Sequence, residues 1–308
     1  MNRKERRAAA DEVRRETKHR IKSRLIKQQA PHLQILIDEG LAHHREGLLQ
    51  EAGGIYNQIL SQDPDHSDAL NLLGMVAYQS GELEVAEGLV SKSAELNPTF
   101  PSVFNNHGMI LYDLGRMPEA EASYREAIKL DPDYVEALIN LSNVLILRTR
   151  LEEAAEHCQK ALQLDSNYAP AYNNLGAIQI AQNLSKEALE SCQYAIDLEP
   201  DFADAYKNLA IALMNIDQLE AAKEACEKCL GLFPEYIEAH CILGDIYAAD
   251  TQLSEAEIQY QTAITLDPDF AQAHTKLSLI LIELGRVDEA EASKQLATEL
   301  EKKLSEKN

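Results

Sequence analysis

Apolar and polar positions along the chain recur in blocks. From Tyr172 to Pro200 the sequence reads YNNLGAIQIAQNLSKEALESCQYAIDLEP: an apolar, small-residue segment, a turn, then a segment with Ala188, Cys192, Ala195 and Leu198 at helical spacing. Shifted by 34 residues in either direction, the same order of residue types reappears. A period of this length marks a repeat array, because one such unit cannot cover its own apolar face and has to stack on a neighbour.

The register is set by an Asp-Pro-like step, with Pro64, Pro98, Pro132, Pro200, Pro234 and Pro268 on one 34-residue lattice and Ser166 filling the single gap. No insertion breaks the phase. Eight units follow, at 33–66, 67–100, 101–134, 135–168, 169–202, 203–236, 237–270 and 271–304, leaving an arm at 1–32 and a tail at 305–308.

Each unit reads as two helices. The eighth position is small throughout (Gly40, Gly74, Gly108, Ser142, Gly176, Ala210, Gly244, Ser278), and the twentieth is Ala in all eight units, from Ala52 to Ala290. Small columns let helices approach closely, so packing explains both. Gly47, Gly81, Gly115 and Gly285, or Thr149, Asn183, Asp217 and Thr251, occupy the bend between the helices and suit a helix end. Proline ends the second helix, since it disfavours helical geometry in the residue before it and brings no donor.

Composition agrees with an all-helical, soluble chain: 45% hydrophobic, few aromatics, no Trp. The longest apolar run, about Ala137 to Leu147, is shorter than the roughly 18 residues a membrane span needs. The opening MNRKERRAAADEV lacks the apolar core of a secretory signal, and five cysteines fit a reducing compartment, so a cytoplasmic location is expected. The net charge of −22 is unevenly spread. Residues 1–30 hold eleven Lys or Arg against four Asp or Glu, a balance of +7, while the remainder carries 18 against 47, or −29. With only Val13, Ile21, Leu25 and Ile26 as larger apolar residues, the arm cannot build a core and is either mobile or docked.

A unit with Leu, Tyr or Phe at position four, Leu at seven, Gly or Ala at eight, Ala at twenty, Ala at twenty-seven and Pro at thirty-two resembles the tetratricopeptide repeat. The NNLG and DPDYVEAL phrasing is most similar to repeats of O-linked N-acetylglucosamine transferases and related bacterial proteins. The resemblance implies an all-α, right-handed α–α superhelix, a solenoid of about eight hairpins, whose first helices line a concave side through positions two, five, six, nine, twelve and thirteen. Glu39 at position seven and Gln62 at thirty depart from the pattern as a terminal cap would, and Lys294 at twenty-four suits the other end.

On that side lies a column of amides at position six, Asn106, Asn140, Asn174 and Asn208, with Asn71, Asn105, Asn143 and Asn173 beside it. In the transferase family a comparable ladder holds an extended peptide by its backbone, and an amide suits this by offering a donor and an acceptor together. The other reading is that these amides bridge adjacent helices. Met75, Tyr78, Met109 and Tyr112 flank the column, joined by Leu72, Ile146, Ile180, Ile211 and Met214, and could receive apolar anchors or pack between units. Charges at the lining positions number eight acids (Asp38, Asp68, Asp113, Glu136, Asp204, Glu238, Asp245, Glu283) against three bases (Arg45, Lys207, Lys276). Such a surface favours a basic or neutral protein or peptide and disfavours nucleic acid.

Cys226 and Cys229 form a CxxC with His240 and Cys241 close behind, a spacing that zinc could use. The lattice gives a simpler account: Cys158, Cys192 and Cys226 share position twenty-four and Cys229 sits at twenty-seven, both core slots, leaving Cys241 as the thiol expected to be most exposed. His240 and His274 take the position-four slot and read as packing residues with a polar edge. No phosphate loop, nucleophile elbow or HExxH motif occurs. The expectation is therefore a non-enzymatic interaction scaffold without a cofactor. Two variants of it are a substrate-recruiting subunit for a separate glycosyltransferase or other modifying enzyme, and a scaffold autoinhibited by its basic arm. Self-association through terminal units is compatible with any of these.

Overall fold

The computed structural model describes residues 31–307, so the expectations for the arm lie almost wholly outside the described residues. Sixteen helices and no strand are found among them. The hairpins are α1 (31–45) with α2 (Leu49–Gln62), α3 (Ser67–Gln79) with α4 (Leu83–Leu96), α5 (Pro101–Asp113) with α6 (Met117–Leu130), and α7 (Val135–Leu147) with α8 (Leu151–Leu164). There follow α9 (Ala169–Ala181) with α10 (Ser185–Leu198), α11 (Ala203–Asn215) with α12 (Leu219–Leu232), α13 (Ile237–Ala249) with α14 (Leu253–Leu266), and α15 (Ala271–Glu283) with α16 (Val287–Lys307). The last helix continues to Lys307, into the stretch set apart as a tail.

Every bend is made the same way. Position fifteen has positive φ in all eight hairpins: Gly47, Gly81, Gly115 and Gly285 at 73° to 79°, and Thr149, Asn183, Asp217 and Thr251 at 56° to 63°. The β-branched Thr149 and Thr251 accept a conformation that disfavours their Cβ. The amide of the next residue then closes onto the carbonyl five residues back, as from Glu82 to Ala77 at 2.9 Å and from Gln218 to Leu213 at 3.0 Å. Between hairpins, the Asp of the Asp-Pro-like step turns the chain: Asp131, Asp165 and Asp267 each accept from the backbone amide two residues on, at 3.1, 2.9 and 2.9 Å.

The small columns do what their size permits. A Cβ built on Gly40, Gly108 or Gly244 would stand 2.4, 2.5 or 2.6 Å from a ring carbon of Tyr56, Tyr124 or Tyr260, and one on Gly176 would meet the Cys192 sulfur at 2.6 Å. Position eight of the first helix therefore seats position twenty-four of the second. The position-twenty alanines are buried without exception.

The chain divides into two compact bodies, with the boundary inside α7 between Asn140 and Leu141. In the first, Leu33, Leu36 and Ile37 pack with Ala52, Tyr56 and Ile59 and with Ala69 and Val76 of the next hairpin. Ala77, Ala86, Val90, Val103 and Ile110 continue that core. The second body repeats the arrangement with Leu213, Cys226, Cys229, Leu243 and Ile246, then Cys241, Tyr260, Leu277 and Leu281. In both, helices pack on their hairpin partners and on neighbouring hairpins, as α3 on α4 and α4 on α5 in the first, and α9 on α10 and α10 on α11 in the second.

Candidate functional site

First helices of successive hairpins lie side by side within each body, α3 against α5 in one and α9, α11, α13 and α15 in the other. Their shared face carries the amide column. In the first body Asn106 Nδ2 donates to Asn71 Oδ1 at 3.1 Å and Asn140 Nδ2 to Asn105 Oδ1 at 3.0 Å. In the second, Asn208 Nδ2 donates to Asn173 Oδ1 at 2.8 Å, while Asn174 Nδ2 reaches Asn143 Oδ1 at 2.6 Å and Ser142 Oγ at 2.7 Å. Position six thus reaches back to the hairpin before it, to position five where that is Asn. Where position five is Ile139, the bond moves to positions eight and nine. Lys276 repeats the rung as an ion pair, its Nζ 2.7 and 2.8 Å from the Asp245 carboxylate, which also accepts from the Tyr260 hydroxyl at 2.7 Å.

These bonds decide which predicted residues a partner can reach. Asn105, Asn173, Asn174 and Asn208 are buried, whereas Asn71, Asn106, Asn140 and Asn143 are half-buried. A bridging bond uses one N–H of one amide and one lone pair of the other, so the half-buried four keep capacity for a further partner. Leu72, Met75, Tyr78, Met109 and Tyr112 in the first body, and Ile146, Ile180, Ile211 and Met214 in the second, are all half-buried on the same face. The Tyr78 hydroxyl donates to Asp113 Oδ2 at 2.6 Å; burial first, and then that bond, push it up to about 12.

Lys207 is held in place. Its Nζ lies 2.9 Å from Asp204 Oδ1, 2.6 Å from the Tyr236 oxygen and 4.9 Å from the Tyr236 ring centroid, and the Tyr236 hydroxyl also bonds Asp204. Burial works against the Asp204 carboxylate, but Lys207 and Tyr236 outweigh it and hold its pKa below the usual carboxylate range. With Lys207 tied to Asp204 and Lys276 to Asp245, the acidic excess of the face stands.

Two expectations are corrected. Position five opens on the lining face only in part: Ile37, Asn105, Ile139, Asn173 and Cys241 are buried, Asn71 and Lys207 are half-buried, and Thr275, in the last hairpin, is exposed. Cys241 has the largest exposure of the five thiols but is not an exposed one: it is 3% exposed, packed with Ala273 and Leu277, and burial pushes it up to about 12. Cys226 and Cys229 are fully buried, with the Cys226 sulfur 3.2 Å from the Ala239 carbonyl. Among the described residues no group of three His, Cys, Asp or Glu is placed to hold a metal ion. His240 and His274 are packing residues: each donates from Nε2 to a proline carbonyl six residues back, at 2.9 and 3.0 Å.

One cluster escaped the sequence reading. Glu87 lies 3.2 Å from Arg116 and 3.6 Å from His107 of the next hairpin, and Ser123 Oγ is 3.4 Å from His107 Nδ1. Glu257 and Arg286 repeat the acid–arginine pair at 2.7 Å with the same 29-residue separation, a signal visible in the lattice. Partly exposed pairs of this kind contribute about 0–1 kcal/mol each, so they align hairpins more than they stabilise them.

Comparison with known proteins follows the same lattice. Three family models, each described as tetratricopeptide repeat, match residues 37–99 and 105–169, residues 191–224 and 259–292, and residues 169–202 and 237–270. Together the matches extend over more than half of the chain. No curated protein matches it. Among solved structures, the chain is similar to a tetratricopeptide repeat protein from Parabacteroides merdae ATCC 43184, at 17% identity over 81% of this chain and 98% of that one, TM-score 0.67. It is also similar to the APC/C hetero-tetramer Cut9-Hcn1, at 18% identity over 85% of this chain and 51% of that one, TM-score 0.72. A third is TTC0263, a thermophilic repeat protein of Thermus thermophilus, at 20% identity over 59% of this chain and 99% of that one, TM-score 0.55. Likeness at these identities establishes the fold. Among the described residues no helix is long and apolar enough to cross a membrane.

Proposed function

Because this chain belongs to the tetratricopeptide repeat family, we propose that it is a non-enzymatic scaffold that takes a segment of a basic or neutral partner protein on the acidic face of its first helices. The observation that carries this reading is the row of half-buried Leu72, Met75, Tyr78, Met109 and Tyr112 beside the half-buried amides Asn71, Asn106 and Asn140. Large apolar side chains left partly open next to hydrogen-bonding groups suit a peptide that anchors side chains and pairs some of its backbone. Because half of the amides are buried between hairpins, the apolar anchors supply more of the affinity, and recognition depends on the partner's side chains more than a full backbone ladder would.

Two variant sets separate binding from packing. Met75, Tyr78, Met109 and Tyr112 changed together to Ala should weaken binding of the best peptide from a basic and neutral array by roughly tenfold or more, with an unchanged helical circular dichroism spectrum. Asn174→Ala with Asn208→Ala should instead lower thermal stability by about 1–3 kcal/mol, from losing buried bonds, and leave affinity unchanged. Unchanged affinity in the first set would overturn the reading.

A further inference from the structure

The second helices carry a separate apolar groove. In the first body, α2, α3 and α4 enclose a hollow of about 650 Å³ lined chiefly by Leu49, Leu73, Val76, Val85 and Leu89, with Gly53 and Gly54 on its rim. Val85 is 51% exposed there. The two adjacent glycines stand inside a helix, where each is less favourable than Ala. Packing does not require them: a Cβ on Gly54 would meet nothing within 4 Å, one on Gly53 would make only an ordinary 3.6 Å contact with Val76, and neither has positive φ. Their absent side chains leave this wall of the groove open to a close neighbour.

The occupant that fits is the chain's own residues 1–30. Residues 31–100 hold eleven Asp or Glu against two Lys or Arg, the opposite of the +7 segment that precedes them. Gly40 of α1 packs on Tyr56 of α2, so the two helices run antiparallel and residue 31 lies beside the C-terminal end of α2. The groove begins near Asn57, five residues before that end, and extends to Leu49. At 1.5 Å per residue this is about 8–20 Å away. Ile21 and Leu25 stand ten and six residues before position 31, and at up to ~3.3 Å per residue the chain between can reach that distance. Val13, Thr17, Ile21 and Leu25 also recur every four residues, the spacing of one helix face, with Lys and Arg between them.

We propose that residues 1–30 dock on the α2–α4 groove of their own chain, Ile21 and Leu25 seated on the apolar lining beside Gly53 and Gly54, and their basic residues drawn to Glu82 of that lining and to the net acidic hairpins that carry it. This site is distinct from the first-helix face, and its test is independent of any partner bound there.

The test is trypsin cleavage of the full chain, read by mass spectrometry at Arg20, Lys22, Arg24 and Lys27. At ~20 mM salt these sites should be cut slowly, and raising salt to ~500 mM should speed cleavage because the charge attraction is screened. Gly54→Arg places bulk and like charge in the groove without a clash in the hairpin, and should raise cleavage roughly tenfold. Ile21→Asp with Leu25→Asp should do the same from the other side. Wild-type cleavage as fast as that of a free peptide of residues 1–30 would overturn the proposal, as would protection unaffected by Gly54→Arg. Release by the Met75, Tyr78, Met109 and Tyr112 variant instead would move the arm to the first helices. Protection that grows with protein concentration would place it on a second copy, and either result overturns docking as stated.

Discussion

Gly108 has no room for a methyl group, and Gly88 has nothing but room. The first faces the Tyr124 ring at 2.5 Å from where its Cβ would be; the second would meet no atom within 4 Å. Opposite outcomes are expected from one chemical change. Gly108→Ala should destabilise the α5–α6 hairpin by about 1–3 kcal/mol through overpacking, and Gly88→Ala should stabilise α4 by about 0.5–1 kcal/mol by restricting the unfolded chain. Urea unfolding of both variants checks the pair. The same contrast explains why one glycine column stands out in the sequence while Gly53, Gly54 and Gly88 do not: the first recurs at the lattice position that seats a ring.

At the scale of the helix, His107 links hairpins through chemistry that responds to pH. It lies on α5 with Glu87, Arg116, Glu119 and Ser123 around it, and burial, opposed by Glu87, lowers its pKa below the ordinary histidine value. A lowered folded pKa means the neutral ring is the favoured form. Its stabilising share is complete above the unfolded value of about 6.5 and is lost as pH falls through the folded one. His107→Gln should therefore show a smaller fall in melting temperature between pH 8 and pH 5 than the wild type, and an equal fall would refute the role. Helix identities, bends and the alanine column were legible in sequence because each depends on one residue's size or backbone preference at a fixed position. Cys241 and the amides were not fully legible, since what covers position five is the following hairpin, and that depends on how two hairpins are set against each other. The 29-residue pairing of Glu87 with Arg116 was present in the letters, but it joins different units and so is hidden when each unit is read alone.

For the whole molecule, packing between nearest neighbours makes stability local. A solenoid of this kind approximates a sum of hairpin terms and interface terms rather than one cooperative core. Gly244→Ala, whose Cβ would lie 2.6 Å from the Tyr260 ring, should speed amide exchange in α13 and α14, with a smaller rise in α12 and α15. Exchange in α1 to α4 should stay at the wild-type rate. A uniform rise along the chain would show that the hairpins melt as one.

The matching of positions eight and twenty-four reaches beyond stability. Tyr124 needs the bare backbone of Gly108, whereas Cys158 is narrow enough to sit against Ser142. Trading α6 for α8 would press a phenol ring onto a hydroxymethyl group. A complete hairpin is thus the smallest cassette that can be moved, duplicated or lost intact, and the joints tolerant of recombination are the Asp-Pro-like turns rather than the bends inside each pair.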